Sequence, residues 1–421
     1  MGKASRRKRE QREAGAAAPD PVRSVVDEYI GRLGAMRPCR PGDTDNFWAT
    51  LDRRYGPQAK RVYDAIGGVL ERSDTAVFDA KNVSLGLSLD VAMGYSGDLY
   101  RQQMETTARQ FGELRPRRVL DAGCENGLLA CFYATLWPEA TVVGWDHVAS
   151  ATERATELAT RLGLENATFE LADLTSRQPD EERFDLVCAS RALLAEAVTR
   201  RHVDYGLTVA EADGIDLGEL DAAVATLVAH TSEDGLLVIL DRMMKPAEIA
   251  AMAGSLERAG AAVNWTQSSL VTADEIAGAG QVFPQLIAHP GAGVSPPALV
   301  DAALGYRAAP ELAELGGIAA SAAEAIARSL RKERLIFSAR ATIIDDWGEE
   351  VESAYEVWDC GAVALNYQAN SLGARTAQLL PVSAAADVAA ELRRRLEEEA
   401  EHDVVFGTRS VVAADPAPIG R

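Results

Sequence analysis

Short apolar runs alternate with stretches of helical periodicity through the middle of this chain. Apolar runs of roughly four to eight residues predict buried strands, and the longer stretches of period 3.6 predict helices. After a first strand that ends at Asp121, the predicted strands cover residues 141–146, 167–174, 184–191 and 235–241. The predicted helices cover residues 126–136, 148–162, 217–231 and 246–260. This alternation indicates parallel strands joined by crossover helices, which is an α/β fold in three layers.

The regions on either side of this alternating core have different patterns. Residues 22–117 are predicted to form a mostly helical N-terminal cap, after a basic tail over residues 1–21. The core spans residues 118–290, and residues 298–421 are predicted to form an accessory α+β domain. The last core strands are expected at residues 262–271 and 282–289. The accessory elements are helix 309–332, strands 335–345, 351–360, 362–370 and 375–381, and helix 384–402.

The charge of the chain is uneven, which bears on its partners. The 421 residues carry a net charge of −20, yet residues 1–12 hold six basic groups and one acidic group. Subtracting this segment from the totals of 43 basic and 63 acidic residues leaves 37 and 62. A body this acidic repels phosphate backbones, so nucleic acid is disfavoured as a partner. The basic tail indicates a disordered solubilising arm, with nucleic-acid contact as the alternative.

Cysteine usage and hydropathy exclude several classes of protein. The chain has five cysteines and no C-x-x-C pair, so the sequence predicts neither a disulfide framework nor a zinc site. No apolar run reaches the roughly 18 residues of a membrane helix, and the N-terminus lacks a signal-peptide pattern. We therefore expect a cytoplasmic protein without a membrane partner.

The turn after the first predicted strand carries the chemistry. Gly123 and Gly127 can adopt backbone angles that other residues resist, and without a Cβ they let a ligand lie against the main chain. Asp121, at the end of the strand, can accept hydrogen bonds from a cationic amine. Asp146 ends the second strand, where an acid in a doubly wound sheet commonly binds ribose hydroxyls. The pattern predicts a cofactor that contains a nucleoside.

The spacing of the glycines separates two cofactor classes. A dinucleotide motif G-x-G-x-x-G would need glycine where the chain has Glu125 and Leu128. The segment instead resembles motif I of the class I S-adenosylmethionine-dependent methyltransferases, D/E-x-G-x-G-x-G, with Glu125 in place of the middle glycine. The later strands follow in the order of that family, and the resemblance covers roughly residues 80–290. It implies a Rossmann-like three-layer sandwich with a seven-stranded, mostly parallel sheet, and S-adenosylmethionine as cofactor.

The resemblance also implies which residues bind the cofactor. They lie in the turn after the first strand, at the ends of the second, third and fourth strands, and in the helical segment upstream. The candidates are Asp121, Gly123, Cys124, Glu125, Gly127, Asp146, His147, Asp173, Leu174, Ser190 and Arg101.

Two residues are candidates for catalysis. Residues 93–98 are predicted to form a polar turn that brings Tyr95 towards the methionine end of the cofactor; the alternative is a surface turn anchored by Tyr95. His202 lies in the connection after the fourth strand, where an imidazole can accept a proton from a hydroxyl near neutral pH. The alternative for His202 is an ordinary solvated loop residue.

The exit of the fourth strand bears on the acceptor. Members of the family that methylate planar amines carry an N-P-P-Y-like element there, whereas this chain has Ala-Ser-Arg-Ala over residues 189–192. No Asp-rich metal site of the catechol type is apparent, so no metal is predicted. We predict a methyltransferase that acts on a small molecule, with specialised metabolism as one setting and a C-terminal domain that serves dimerisation or acceptor recognition. The alternatives are a noncatalytic regulator or scaffold that binds S-adenosylmethionine or S-adenosylhomocysteine, and a protein methyltransferase.

Overall fold

The computed structural model describes most of the chain between Asp20 and Ala413. The described residues are 20–67, 75–178, 181–193, 207–208, 218–242, 246–265, 267–291, 332–344, 350–361, 363–371, 375–402 and 410–413. The chain divides into two compact units, one of Met1–Leu171 with Val271–Gln281 and one of Ala172–Leu270 with Val282–Arg421. The predicted division into tail, cap, core and accessory domain stays a prediction. Almost all of the predicted tail, the predicted helix 309–332 up to its last residue, and His202 lie outside the described residues.

Helices precede the first strand, as the sequence predicts for the cap. They are α1 (Pro21–Leu33), α2 (Thr44–Tyr55), α3 (Pro57–Gly67), α4 (Thr75–Lys81) and α5 (Leu85–Phe111). Local sequence explains their ends. Asp20 caps α1 by accepting a hydrogen bond from Val22 N at 3.1 Å, and Gly34 ends it with a φ of 60°. Ser84 caps α5 by accepting a hydrogen bond from Leu87 N at 3.4 Å.

The predicted turn over residues 93–98 is wrong, because α5 continues through it with a break at Ser96. The φ of Ser96 is −126° and its ψ is 24°, which are not helical angles. The two glycines that suggested a turn allow close packing instead. A Cβ on Gly94 would lie 2.7 Å from the Phe47 ring, and one on Gly97 would lie 2.7 Å from Pro38. The glycines therefore make room for the neighbouring chain.

The core alternates strands and helices as predicted. Its strands are β1 (Arg118–Ala122), β2 (Thr141–Asp146), β3 (Ala167–Leu171), β4 (Phe184–Ser190), β5 (Thr231–Leu240), β6 (Ala261–Val263), β7 (Ser269–Glu275) and β8 (Gly278–Pro290). Its helices are α6 (Leu128–Leu136), α7 (Ala149–Leu162), α8 (Glu219–His230) and α9 (Pro246–Arg258). The strand order is β3-β2-β1-β4-β5-β8-β6, and β7 pairs with β8. β8 runs antiparallel to β5 and β6, whereas β1, β2 and β3 pair in parallel. The predicted Rossmann-like fold class is confirmed.

Several strand boundaries differ from the sequence prediction: β5 and β8 begin four residues earlier than expected, and two other differences have a visible local cause. The strand expected at residues 262–271 is divided into β6 and β7, because Asn264 forms a turn in which its side chain accepts a hydrogen bond from Gln267 N at 3.2 Å. β3 ends at Leu171, three residues earlier than expected. The reason is Asp173, whose Oδ1 accepts a hydrogen bond from Thr175 N at 2.8 Å and starts a turn.

A second, antiparallel sheet follows in the C-terminal part of the chain. Its strands are β9 (Arg334–Ile344), β10 (Glu350–Asp359), β11 (Ala364–Asn370), β12 (Arg375–Leu380) and β13 (Ser410–Ala413), in the order β12-β11-β10-β9-β13. The predicted four-stranded meander is present, and the short β13 was not predicted. Helix α10 (Ala385–His402) packs against the sheet through Leu392 and Leu396, which belong to an apolar cluster with Phe337 and Val357. Across the described ranges, no helix has the length and apolar character that a membrane span requires.

Candidate functional site

The turn between β1 and α6 is bound to the end of β2 by its own backbone. Gly123 N and Cys124 N both donate to the carbonyl oxygen of Trp145, at 2.8 and 2.9 Å. Gly123 and Gly127 have φ values of 73° and 76°, in the left-handed region that favours glycine. A Cβ on Gly127 would lie only 2.8 Å from the Cβ of Ala155 in α7. Gly127 therefore serves helix packing, in addition to the geometry of the turn.

Glu125 occupies the position of the middle glycine and keeps a glycine-like backbone. Its φ is 49°, one of two positive values at residues other than glycine in the described chain. Its backbone N–H donates to Asp146 Oδ2 at 2.8 Å, and its Oε1 lies 2.7 Å from Lys81 Nζ. Lys81 Nζ also lies 4.4 Å from the centroid of the Phe78 ring. The side chain of Glu125 is thus held by a cation on α4 while its main chain contacts the β2 acid.

Asp121 is a buried carboxyl at the end of β1. Its side chain is 1% exposed, and its Oδ2 has no hydrogen-bond partner among the residues that the structure describes. Burial raises the pKa of Asp121 to about 8; the negative charge of Asp146 adds to the rise, and a hydrogen bond from the backbone of Ala130 opposes it. Such a carboxyl can bind a hydrogen-bond donor or a cation.

Asp146 lies at the neighbouring strand end, because β1 and β2 are parallel partners. Its Oδ1 accepts a hydrogen bond from Val148 N at 2.9 Å, and its Oδ2 accepts the one from Glu125 N. Burial raises the pKa of Asp146, and these two hydrogen bonds lower it. The next residue, His147, is partly exposed, and its ring packs edge-on against Phe78 at 6.3 Å between centroids. The structure therefore brings together the predicted residues of the turn and the end of β2.

The predicted cofactor-binding cysteine of the turn is buried. Cys124 is 5% exposed, and burial raises the pKa of its thiol well above the usual value, followed by the negative charge of Asp121. A protonated, buried thiol is a poor nucleophile. The described residues contain no group of three or more His, Cys, Asp or Glu side chains that could bind a metal ion.

Tyr95 and Arg101 lie on α5. The Tyr95 ring packs edge-on against Phe47 at 6.3 Å, and its carbonyl oxygen accepts a hydrogen bond from Ile276 N at 3.0 Å. Arg101 forms an ion pair with Asp27 of α1. Each of these two candidates therefore has a contact within the cap.

The remaining candidates belong to the other compact unit. Asp173 is exposed and caps its own turn, where the Thr175 hydroxyl donates to Asp173 Oδ1 at 2.7 Å. Leu174 and Ser190 are half-buried, and Ser190 ends β4. Asp241, which follows β5, is 1% exposed and accepts a hydrogen bond from Leu193 N at 3.1 Å. Its signal in the sequence is the same as that of Asp146, an acid directly after an apolar strand.

Sequence reasoning missed two other groups at the turn. One is Lys81, which a search for a cation near Glu125 could not find because the two are far apart in the sequence. The other is a buried chain of hydrogen bonds from Asn126 Nδ2 to Ser88 Oγ at 2.9 Å and from Ser88 Oγ to Asn82 Oδ1 at 2.6 Å. These three side chains are at most 1% exposed. Asn82 and Ser88 lie in the cap, far in sequence from Asn126, so no local sequence pattern predicts that the three interact.

This turn lies in a part of the chain that matches a known protein family. Residues 116–217 match a family model described as a methyltransferase domain. A tRNA (guanine-N(7)-)-methyltransferase from Chloroflexus aggregans is 45% identical over 73 residues, which are 17% of this chain and 32% of that relative. The chain thus matches about a third of the length of that curated relative.

Solved structures are similar at low sequence identity. An O-methyltransferase family protein from Burkholderia thailandensis is 16% identical, with a TM-score of 0.37 and coverage of 56% of this chain and 72% of that chain. A magnesium protoporphyrin IX methyltransferase from Synechocystis PCC 6803, solved with bound SAH, is also 16% identical, with a TM-score of 0.31 and coverage of 45% and 84%.

The domain match identifies the family of this part of the chain. The matched residues contain the turn with Asp121 and the strand end with Asp146. The chain carries a class I S-adenosylmethionine-dependent methyltransferase domain, which confirms the predicted family and its cofactor, S-adenosylmethionine.

Proposed function

We propose that this protein is an S-adenosylmethionine-dependent methyltransferase that transfers a methyl group to a small-molecule acceptor. The observation that carries the proposal is the pair of acids at the adjacent ends of β1 and β2, joined through the Glu125 turn. The family match supports the reaction, and the acidic charge of the chain supports an acceptor other than nucleic acid.

The residues of the turn fit the functional groups of the cofactor. The buried Oδ2 of Asp121 lacks a partner among the described residues, and it suits the cationic α-ammonium group. Each oxygen of Asp146 accepts one backbone hydrogen bond and retains acceptor capacity, which suits the two ribose hydroxyls. His147, next in the chain, suits the adenosine side of the pocket. Gly123 leaves the main chain open to close approach.

The chain's own residues mainly bind and orient. S-adenosylmethionine, when bound, supplies a methyl group on a positively charged sulfur. Transfer is a direct displacement, so the protein must align the acceptor and exclude water. Asp173, Leu174, Ser190 and Arg101, the further cofactor-binding candidates from the sequence, stay predictions. Tyr95 is assigned to the acceptor side of the pocket.

A hydroxyl acceptor also needs a base, and we assign that role to His202. A base of matched pKa accelerates such a step by roughly 10² to 10⁴. His202→Ala should lower turnover and leave the affinity for S-adenosylhomocysteine within about twofold, as expected when chemistry rather than binding is lost. Wild-type turnover in this variant would remove the role, and catalysis by positioning alone would then be the better account.

Calorimetric titration tests the cofactor, and a transfer screen tests the acceptor. S-adenosylhomocysteine should bind and NAD should not; tight NAD binding with no response to S-adenosylhomocysteine would refute the proposal. A tritiated-methyl screen on cell extract, divided into small-molecule, protein and RNA fractions, should label the small molecules. Label in protein would favour a protein methyltransferase, and label in RNA would extend the likeness to the tRNA methyltransferase. Cofactor binding without any label would favour a noncatalytic regulator or scaffold.

A further inference from the structure

The end of α4 contacts the cofactor turn through a charged residue. Lys81 Nζ lies 2.7 Å from Glu125 Oε1. The side chain of Lys81 is 12% exposed and that of Glu125 is 17% exposed, so water screens this ion pair much less than an exposed one. A pair this protected is costly to break, because the remaining partner would stay buried with an uncompensated charge.

The ion pair is coupled to the backbone of the turn. Glu125 adopts a left-handed conformation, which is unfavourable for a residue with a Cβ. In that conformation its N–H points at Asp146 Oδ2, 2.8 Å away. The contact of Lys81 with the side chain of Glu125 therefore also fixes the amide that orients the β2 acid.

A second link connects the same corner of the cap to the next residue of the turn. Asn82 follows Lys81 and accepts a hydrogen bond from Ser88 Oγ, which in turn accepts one from Asn126 Nδ2. Two successive residues at the end of α4 thus reach two successive residues of the turn, Glu125 and Asn126. The hydrogen bonds of Asn82 and Ser88 therefore hold the segment that carries Lys81 next to the turn.

We propose that Lys81 is a positioning residue for the cofactor, which acts through Glu125 to hold the turn and Asp146 in the binding geometry. This inference rests on the proposed function, since it concerns the same cofactor site. A glycine at position 125 would need no such cation, because it accepts the left-handed conformation without strain and carries no carboxylate. Lys81 is thus the compensation for glutamate at this position.

Removal of the Lys81 charge acts on Asp146 in two ways. Without its partner, the Glu125 carboxylate is free to leave its position, and the amide that donates to Asp146 moves with it. The negative charge of Glu125 also adds to the burial that raises the pKa of Asp146. Both effects weaken the hydrogen bonds that Asp146 offers to the ribose, because a protonated or displaced carboxyl is a poorer acceptor.

Calorimetric titration with S-adenosylhomocysteine tests the inference on the full chain. Lys81→Met should weaken binding at least about tenfold, which corresponds to about 1.4 kcal/mol. Lys81→Arg keeps the charge and should bind within about threefold of the wild type. In a Glu125→Gly background, Lys81→Met should change the dissociation constant less than about twofold. Lys60→Met is the matched control, because Lys60 pairs with Asp64 on the surface of α3 and is 70% exposed.

The outcomes separate this inference from the proposed function. A wild-type chain that binds no S-adenosylhomocysteine refutes the proposed function itself. A wild-type chain that binds, with Lys81→Met equally tight, overturns only the role of Lys81. A tenfold loss that persists in the Glu125→Gly background also overturns it, because Lys81 would then act without Glu125. If Lys81→Met alone does not fold, Lys81→Gln replaces it in both backgrounds, with the same expected results and the same results that overturn the role.

Discussion

The cofactor turn and the C-terminal sheet differ in whether their buried polar groups have hydrogen-bond partners. In the sheet they have partners: Glu356 Oε2 accepts a hydrogen bond from Trp358 Nε1 at 3.1 Å, and Asn366 Nδ2 donates to Gln378 Oε1 at 3.2 Å. In the turn, Asp121 Oδ2 is buried without a partner in the described chain, and Glu125 has a strained backbone.

The difference indicates where the chain is shaped for packing and where it is shaped for binding. An unsatisfied buried polar atom costs roughly 1 to 3 kcal/mol, and local strain tends to collect at sites of function. The C-terminal sheet has buried its apolar residues, such as Val357 and Tyr367, and has satisfied these polar ones. The turn retains a cost that a ligand with an ammonium group and a diol could remove.

The largest effect is expected in the packed region and should leave the binding region untouched. Leu392 of α10 is 5% exposed in the apolar cluster of the second sheet. Leu392→Ala should lower the free energy of unfolding by about 3 kcal/mol, the usual cost of such a cavity. At a temperature where the variant is folded, its dissociation constant for S-adenosylhomocysteine should stay within about twofold. A tenfold loss of affinity would show that the C-terminal sheet supports the cofactor site.

The next effect is expected in the turn region. Asp146→Ala removes the acceptor for Glu125 N and Val148 N, together with the proposed contact to the ribose. Hydrogen bonds to a charged group contribute about 1.5 to 3 kcal/mol, so the dissociation constant for S-adenosylhomocysteine should rise roughly tenfold to a hundredfold. Asp64→Ala, at an exposed acid of α3, is the control. An unchanged constant in a folded Asp146→Ala variant would show that ribose binding lies elsewhere.

The sequence predicts the fold well because its main signals are local. The strand ends at Asp121 and Asp146 are visible as apolar runs followed by an acid, and parallel pairing then brings them to one edge of the sheet. The errors arise where a side-chain hydrogen bond or a packing contact overrides the local sequence pattern. Asn264 interrupts one predicted strand, and the glycines of α5 serve close packing although they resemble turn residues.

The site is less predictable because part of it is built from distant segments. The glycine positions identify the turn, yet nothing near Glu125 in the sequence indicates that Lys81 pairs with it. The Asn126, Ser88 and Asn82 chain is equally hidden, since polar residues in a helical cap are usually exposed. Burial determines the pKa of Asp121, and burial follows only from the complete packing of β1 and its neighbours.

The third prediction concerns Asp121, where a loss of cofactor affinity should accompany a gain in stability. Asp121→Asn removes the carboxyl group that we propose binds the ammonium group and leaves only a neutral amide, so the affinity for S-adenosylhomocysteine should fall about tenfold, or 1.4 kcal/mol. The ligand-free variant should nevertheless be more stable at neutral pH. The pKa of Asp121 is about 8 in the folded protein, against 3.8 for an ordinary carboxyl. The folded state therefore holds a proton that the unfolded state has lost, and stability falls as pH rises between these values.

Urea unfolding of both proteins without ligand, at pH 5 and pH 8, measures this effect on stability. The stability of Asp121→Asn relative to the wild type should increase from pH 5 to pH 8 by at least about 1 kcal/mol, because one pKa unit corresponds to about 1.4 kcal/mol. Titrating groups that do not interact with Asp121 cancel in the difference. A constant difference between the two proteins would mean that the carboxyl is satisfied in solution, and the contrast with the C-terminal sheet would disappear.

The smallest effect is expected at His147, the partly exposed member of the turn region. Its ring makes an edge contact with Phe78 and lies 3.9 Å from Asp146 Oδ1, so it borders the acid without satisfying it. An aromatic contact contributes about 0.5 to 1.5 kcal/mol, and partial exposure favours the lower value. His147→Ala should therefore weaken S-adenosylhomocysteine binding about threefold, whereas His147→Phe, which keeps an aromatic face, should retain most of the affinity. A loss as large as that of Asp146→Ala would place His147 among the groups that bind the cofactor by charge. No loss in either variant would place the adenosine on another side of Asp146. The acids of the turn would then bind the cofactor without a contribution from His147.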